Sequence, residues 1–452
     1  MGLKGSENGC KAVFQFLFPK SFLACPRLSE TRELVDVDRS ETLAVLDGNV
    51  MVMAVPQTMT TFNEYVMIMV AQITPAIEAA AHVVVVFDEP KAMTRAKAAE
   101  QQARDARRKT KTPVCSNELV ACITTDEFTQ DMLQADGCNV RLLMDHRAAR
   151  SRFFDALCVA VLAHFSETNG EGTWSLTFDG IDARGAGRDF EERRVAGILS
   201  SDQDFWSALL ARESAIGEGD IKLTDVAQRV HDAALVSGTP VDGVVLNLLV
   251  TVDTDSLVIE LMKQAQRLQR KDEKDKNELT VLCLKEPARK RKGDDFVTPS
   301  RFLCCNIAKF YEDMCEYMDT SSSADNSSAV ALMVGALATC GCDFLEVKGA
   351  RADLMMPVVK DVIQKNPQIL KVMGNIFKQK EDEIQLAKGA IETVLQSYAN
   401  EISTKPRMAR ASASVNDYCE AQLLRTVWIT AYWSGREFKD CYNWGFPSAS
   451  CA

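Results

Sequence analysis

At 452 residues, with 46% hydrophobic and 25% charged residues, the chain reads as a soluble globular protein of one large domain or two ordinary ones. Its net charge of −11 excludes a generally basic nucleic-acid coat and leaves room for a local basic groove beside an acidic centre. The fifteen cysteines contain no Cys-x-x-Cys pair and lack the usual zinc-ligand spacings. With no cleavable signal they are expected to be reduced thiols in a nucleus or cytoplasm.

No stretch reads as membrane-spanning, because the longest apolar region, Tyr65 to Phe87, is interrupted by Pro75 and Glu78. Thr42 to Leu46 is a short apolar strand ending at Asp47-Gly48-Asn49, and another apolar run follows it through Val55. Phe62 to Ala81 has helical spacing, and the β-branched run Val83 to Phe87 is a strand ending at Asp88. This βαβ arrangement places an acid at the carboxyl end of each strand, the end that faces the ligand crevice in an open parallel sheet. From Lys91 the composition turns helical and basic, through Arg95, Lys97, Arg104, Arg107, Arg108, Lys109 and Lys111. Lys97 and Arg104 lie two turns apart on one face, a spacing suited to two contacts on one phosphate strand, although such a run is more commonly a solvated face.

Residues 113–215 are less patterned. Ala148 to Phe165 reads as a buried helix, Trp174 to Phe178 as a strand among Gly-rich charged loops, and Asp202-Gln203-Asp204 as surface. Gly217-Glu218-Gly219-Asp220 then opens a helix, Ile221 to Ala234, whose apolar positions Ile221, Val226, Ala227, Val230 and Ala234 recur at helical spacing. After a turn at Ser237 to Pro240, Val244 to Val252 reads as a strand buried on both faces, ending in Asp253-Thr254-Asp255.

A helix from Leu257 to Leu268, a strand from Glu278 to Leu284 and the basic tetrad Arg289 to Lys292 follow. Ser321 to Ser328 reads as a polar break, after which the apolar helix Ala329 to Thr339 delivers Gly341-Cys342-Asp343-Phe344. Lys360 to Asn400 is helical, Pro406 to Ser414 reads as a linker, and the tail holds Trp428, Tyr432, Trp433, Tyr442 and Trp444. Such aromatic density can stack bases, and more often folds back onto a core.

Acids thus recur at strand ends and at one helix start. Close carboxylates repel one another unless a cation sits among them. Magnesium prefers oxygen ligands and needs neither His nor Cys, which suits a chain with only four His. The bland alternative is a set of polar loops and solvated helix starts.

Taken in order, these residues resemble the flap-endonuclease/XPG superfamily of metal-dependent 5′ nucleases, which includes the 5′-to-3′ exoribonucleases. Met1 to Gly5, Met-Gly-Leu-Lys-Gly, is similar to the family's opening Met-Gly-(Ile/Val/Leu)-Lys-Gly. Asp47 resembles its first acid, Phe87-Asp88 its strand-end Phe-Asp, and Lys97, Glu100 and Arg104 its Lys-x-x-Glu-x-x-x-Arg, with a slightly longer spacer. Glu218 and Asp220 resemble the ExE pair, and Gly-Glu-Gly-Asp-Ile-Lys is similar to the Gly-Glu-Gly-Glu-His-Lys of the exoribonuclease branch. Asp253 and Asp255 resemble the DxD pair, and Gly341 to Phe344 the final Gly-x-Asp-(Tyr/Phe).

The resemblance covers residues 1 to about 111 and 216 to about 349. It implies an α/β fold, a mostly parallel, PIN-like central sheet flanked by helices. It further implies a nuclease formed by 1–112 and 216–350, an arch-like insertion at 113–215, and a helical C-terminal region at 351–452 with an aromatic tail. It also implies two Mg²⁺ or Mn²⁺ ions held by Asp47, Asp88, Glu218, Asp220, Asp253, Asp255 and Asp343, with Lys97 and Arg104 neutralising charge on the scissile phosphate. Gly2, Arg107, Arg108 and Lys348 join Lys97 and Arg104 as expected contacts to nucleic acid. The implied reaction is hydrolysis near 5′ ends or junctions of DNA, leaving a 5′-phosphate.

Three departures bear on substrate. Val347-Lys348-Gly349-Ala350-Arg351 keeps only the first glycine of the family's duplex-gripping hairpin turn, and Met53 stands where flap endonucleases carry a base-stacking aromatic. Tyr432-Trp433-Ser434-Gly435 faintly resembles an aromatic stretch of the exoribonucleases. RNA, cut from its 5′ end or internally, is therefore the alternative substrate, and a catalytically silent nucleic-acid-binding or structural member is the alternative of another class.

Overall fold

The computed structural model describes residues 9–33, 35–56, 58–88, 130–134, 138–145, 147–168, 174–179, 197–200, 202–210, 219–270, 279–286, 289–290, 297–298, 300–320, 323–340, 351–373, 381–403, 423, 426–427 and 429–430. Along them run α1 (Gly9–Leu17), β1 (Phe22–Cys25), α2 (Leu28–Glu33), β2 (Thr42–Asp47), α3 (Gly48–Met53), α4 (Phe62–Ala79) and β3 (His82–Val86). Next come α5 (Gln130–Gln134), α6 (Arg147–Thr168), β4 (Ser175–Phe178), β5 (Gly197–Leu199), α7 (Gln203–Leu210), α8 (Gly219–Ala234) and β6 (Leu246–Thr251). Then follow α9 (Asp255–Arg270), β7 (Leu279–Glu286), β8 (Arg289–Lys290), β9 (Val297–Thr298) and β10 (Arg301–Asn306). Last are α10 (Ile307–Met318), α11 (Ser323–Ala338), α12 (Ala352–Lys365), α13 (Ile369–Met373) and α14 (Glu381–Ser403).

These elements form two compact units. One, the sheet unit, comprises Cys25–Val252 and Lys285–Phe302; the other, the helical unit, comprises Met1–Ala24, Asp253–Leu284 and Leu303–Ala452.

The sheet unit is α/β. Its strand order is β6-β2-β3-β4-β5, with the first three pairings parallel and the edge strand β5 antiparallel to β4. Leu43 to Leu46 and Val83 to Val86 are buried on both faces, which explains why β2 and β3 read as continuous apolar runs rather than alternating ones. Helix α4 begins at a capping box: Glu64 Oε2 accepts the N–H groups of Thr60 and Thr61 at 2.8 and 2.9 Å. It stops at Ala79, two residues short of the sequence expectation, because Ala80 turns extended and the Ala81 N–H is taken by the Arg39 carbonyl at 2.9 Å.

The apolar run after β2 is helix α3. Asp47 starts it, its Oδ1 accepting the Val50 N–H at 3.1 Å. Gly48 is the residue that lets this helix begin where it does. A Cβ there would stand 2.5 Å from Cε1 of Phe87, whose buried ring is flanked by Phe178 and Phe154 with centroids 6.5 and 5.5 Å away.

The helical unit is organised around α11. Residues 329–338 of that helix are buried on every side, as expected of a helix apolar all round, and α9, α10, α12, α13 and α14 contact it. The polar stretch 321–328, expected to be a break, is instead the first part of this helix from Ser323 onward. Buried serines are tolerated there because the Ser327 hydroxyl donates to the Ala265 carbonyl at 2.9 Å and meets the Tyr311 hydroxyl at 3.1 Å. Strands β1, β10 and β7 lie side by side in that order. Phe14, Phe18 and Phe22 gather on Phe310 with centroid separations of 5.1, 5.6 and 5.5 Å.

The first half of the basic tetrad, Arg289-Lys290, pairs antiparallel with Val297-Thr298. Arg291 and Lys292, the linker 406–414 and the tail aromatics Trp428, Tyr432, Trp433, Tyr442 and Trp444 lie outside the described residues. Among the described residues no helix is long and apolar enough to cross a membrane.

Gly48→Ala is expected to lower unfolding free energy by about 1–3 kcal/mol through overpacking against the Phe87 ring, read by urea denaturation. His82 gives a second test. Its Nδ1 lies 3.0 Å from the Ser175 hydroxyl, and burial lowers its pKa to about 4 despite the opposing pull of Asp202. A His buried neutral contributes stability above its unfolded pKa of 6.5, and that stability is lost as the pH falls from there toward 4. Denaturation midpoints should therefore fall across that window in the wild type and fall less in His82→Gln, with at most about 3 kcal/mol involved.

Candidate functional site

Parallel pairing brings the strand-end acids of the sheet unit into a row. Asp47 is the register partner of Val86, and Phe178 is the partner of Val85, which sets the next residue, Asp179, level with Val86. The Asp179 N–H extends the ladder by donating to the Val85 carbonyl at 2.9 Å. Asp88 lies just beyond β3, after Phe87. Asp47, Asp88 and Asp179 thus mark the carboxyl ends of three adjacent parallel strands, where α/β sheets place their ligands.

Helix α8 starts against this row. The Gly219 N–H donates to Asp88 Oδ1 at 2.8 Å. A Cβ on Gly219 would stand 3.2 Å from that oxygen, 3.4 Å from Asp47 Oδ1 and 3.5 Å from Asn49 Nδ2. The bare backbone carbon gives the Asp88 carboxylate room it would lack beside a side chain, while Asp47 and the Asn49 amide of α3 lie at ordinary contact distance from the same helix start. Asp220, in the first turn, is half-buried, and the positive end of the helix favours an acid there.

Asp47 has two roles in this geometry. It is 4% exposed, its Oδ1 both caps α3 and faces Gly219, and Thr251 Oγ1 at the end of β6 lies 3.5 Å from its Oδ2. The Asn49 amide nitrogen is buried and makes no hydrogen bond among the described residues. A donor left in that state costs about 1–3 kcal/mol, a cost that a ligand oxygen would remove.

One turn into α8, the Lys222 ammonium lies 2.6 Å from Asp179 Oδ2, with both side chains 0% exposed. Of the three strand-end acids, Asp179 is therefore paired to a lysine inside the protein.

Asp253 and Asp255 belong to the helical unit. Asp255 opens α9 and is 7% exposed, and its N–H donates to Asp253 Oδ1 at 3.2 Å, so Asp253 takes up the first N–H of that helix. The buried Cys10 thiol lies within its electrostatic reach: burial first, and then the Asp255 charge, pushes its pKa up to about 12, and it stays protonated at neutral pH.

Among the described residues, no three His, Cys, Asp or Glu side chains form a metal-binding group. Glu218 and Asp343, and with them Gly2, Lys97, Arg104, Arg107, Arg108 and Lys348, lie outside those residues. The donors that do meet at Gly219 are carboxylate oxygens beside a helix start with no side chain between them. Such donors fit a hard divalent cation.

Three residues of this site carried a signal that periodicity alone passes over. Asn49 directly follows Asp47-Gly48, Phe178-Asp179 repeats the pattern of Phe87-Asp88, and Lys222 lies four residues before Val226 on the buried face of α8. Asp202 and Asp204 are exposed, as read from the sequence.

Gly219→Ala is expected to displace the Asp88 carboxylate by a few tenths of an ångström while leaving the helix intact. Should the site hold Mn²⁺, its calorimetric affinity falls about tenfold with little change in melting temperature, as when the support of a ligating side chain is disturbed. No family model and no curated protein matches this chain, so its own geometry carries the functional reading.

Proposed function

We propose that this chain is a divalent-metal-dependent 5′ nuclease of the flap-endonuclease/XPG kind, hydrolysing phosphodiester bonds near 5′ ends or junctions of DNA. The observation that carries the reading is the meeting of Asp47 and Asp88, from neighbouring parallel strands, at the Gly219 start of the helix opened by Gly-Glu-Gly-Asp-Ile-Lys. The mostly parallel sheet of that unit is consistent with a PIN-like form of the fold.

In this reading Asp47, Asp88, Glu218, Asp220, Asp253, Asp255 and Asp343 hold two Mg²⁺ or Mn²⁺ ions. Bound there, the ions would supply the positive charge that acidifies water and stabilises a leaving oxygen. The protein's own residues do the rest. The Gly219 N–H fixes one oxygen of Asp88 and leaves the other for a ligand, and the cap on α3 holds Asp47 in one orientation. The Asn49 amide offers a donor to a phosphate or water oxygen. Lys97 and Arg104 neutralise charge on the scissile phosphate, and Gly2, Arg107, Arg108 and Lys348 hold the strand beside it. A reducing compartment, nucleus or cytoplasm, suits a chain whose free cysteines include Cys158, Cys305 and Cys340, all buried and held as thiols by that burial.

RNA is the second reading. It is favoured by Met53, which ends α3 with a flexible aliphatic side chain, 46% exposed, in place of a stacking ring. The likeness of Gly-Glu-Gly-Asp-Ile-Lys to the exoribonuclease motif points the same way.

The test is a side-by-side digestion of a 5′-flap DNA and a 5′-phosphorylated RNA of matched sequence with Mg²⁺, Mn²⁺ or EDTA, resolving the product ends. Metal-dependent cleavage leaving 5′-phosphates is expected, and the preferred substrate decides between the two readings. Asp47→Asn retains a good helix cap and removes the charge, so it should melt like the wild type and lose turnover. Undiminished cleavage in Asp47→Asn, or cleavage indifferent to EDTA, refutes the proposal; absence of both cleavage and metal binding points to a silent member of the family.

A further inference from the structure

Asp179 and Lys222 form an ion pair inside the sheet unit. Both side chains are 0% exposed, and the ammonium and carboxylate are in contact at 2.6 Å. A buried pair of this kind contributes little net stability, because desolvation of both ions offsets their attraction. What it does supply is a fixed distance between two elements. One end of this link is the carboxyl terminus of β4, tied to β3 by the Asp179 N–H on the Val85 carbonyl. The other end is the first turn of α8, one residue triplet from Gly219, whose N–H rests on Asp88.

We infer that Lys222 and Asp179 form a positioning pair that sets the start of α8 against the strand-end carboxylates, and so fixes the orientation of Asp88 toward its ligand. The inference deepens the nuclease reading and rests on it for the nature of that ligand. Asp179 lies in the same row as Asp47 and Asp88, yet its charge is balanced by an internal cation, which makes it a support rather than a metal ligand. Lys222 is correspondingly a structural cation and not a phosphate contact, since no part of it reaches the surface.

The experiment compares wild type, Lys222→Met, Lys222→Arg and the double variant Lys222→Met/Asp179→Leu. The double variant removes both charges of the pair, so neither member is left as a lone buried ion, and it is the one expected to fold best. Hydrogen exchange is read along α8, and Mn²⁺ affinity is measured by calorimetry on the same samples. In every folded variant, amides of the first turn should exchange faster while those from Val226 to Ala234 keep their protection. Mn²⁺ should bind about 10–100-fold more weakly, as when the support of a metal ligand is lost.

Unchanged first-turn exchange in the folded variants overturns the inference, as does an equal loss of protection along the whole helix. Failure of all three variants to fold overturns it too, because the pair would then serve the fold at large. A wild type that binds no Mn²⁺ sinks the nuclease reading, and the exchange data still decide the role of the pair.

Discussion

Two carboxylates from adjacent strands share the space in front of one helix, and the absence of a side chain at Gly219 gives Asp88 its room there. Like charges brought together repel one another, so compensation favours such an arrangement. Part of it is built in: the first N–H of α8 points at Asp88, and the positive end of the helix dipole lies over the row of acids. The third acid of the row is matched by a buried lysine. The rest of the sheet unit can be read as the scaffolding for this encounter, with parallel strands aligning the acids and α8 closing over their ends.

The scaffold is stiff where it counts. Strand β2 is paired on both sides, to β6 and β3, and its apolar residues are buried on both faces, so Asp47 projects from an element with no freedom to slide. Asp47 also caps α3, whose first residue, Gly48, lies against the Phe87 ring directly before Asp88. The residues flanking the two acids are therefore in mutual contact, and the spacing between the carboxylates is set by aromatic packing as much as by backbone pairing. Loss of the Asp47 acceptor oxygen is consequently felt at the start of a helix as well as at the site.

The sequence made some of this plain and hid the rest for identifiable reasons. Strands β2, β3 and β6 and helices α4, α6, α8 and α9 announce themselves through uninterrupted β-branched runs or regular apolar spacing, and their ends fall within a few residues of expectation. Helix α3 was visible only as an apolar run, because its start depends on a side-chain cap. The opening of α11 reads as a loop, since serine and asparagine favour loops; its hydroxyls find partners on α9 and α10, which no local pattern reveals. Helices α1 and α10 do carry regular apolar spacing, Cys10-Val13-Phe14 and Ile307-Phe310-Tyr311-Met314-Cys315-Met318, and with the short strand β1 they meet in the aromatic cluster on Phe310, a contact that no local pattern reveals. At the site, Asp47 and Asp88 were legible because they end obvious strands. Asp179 follows a four-residue strand set in a charged stretch of sequence, so its Phe-Asp pattern stands out less, and a buried lysine such as Lys222 looks like any other polar residue until its partner is found across the fold.

The polypeptide passes from one unit to the other after Ala24, Val252, Leu284 and Phe302. Neither unit is thus a continuous length of chain. During synthesis the residues from 285 to 302 emerge only after an entire segment belonging to the other unit, so the sheet unit waits on chain still to come, and contacts between such distant residues slow folding. A single nick anywhere from 253 to 284 would leave the two lengths of the sheet unit on separate fragments, and no one cut can release either unit as an autonomous piece.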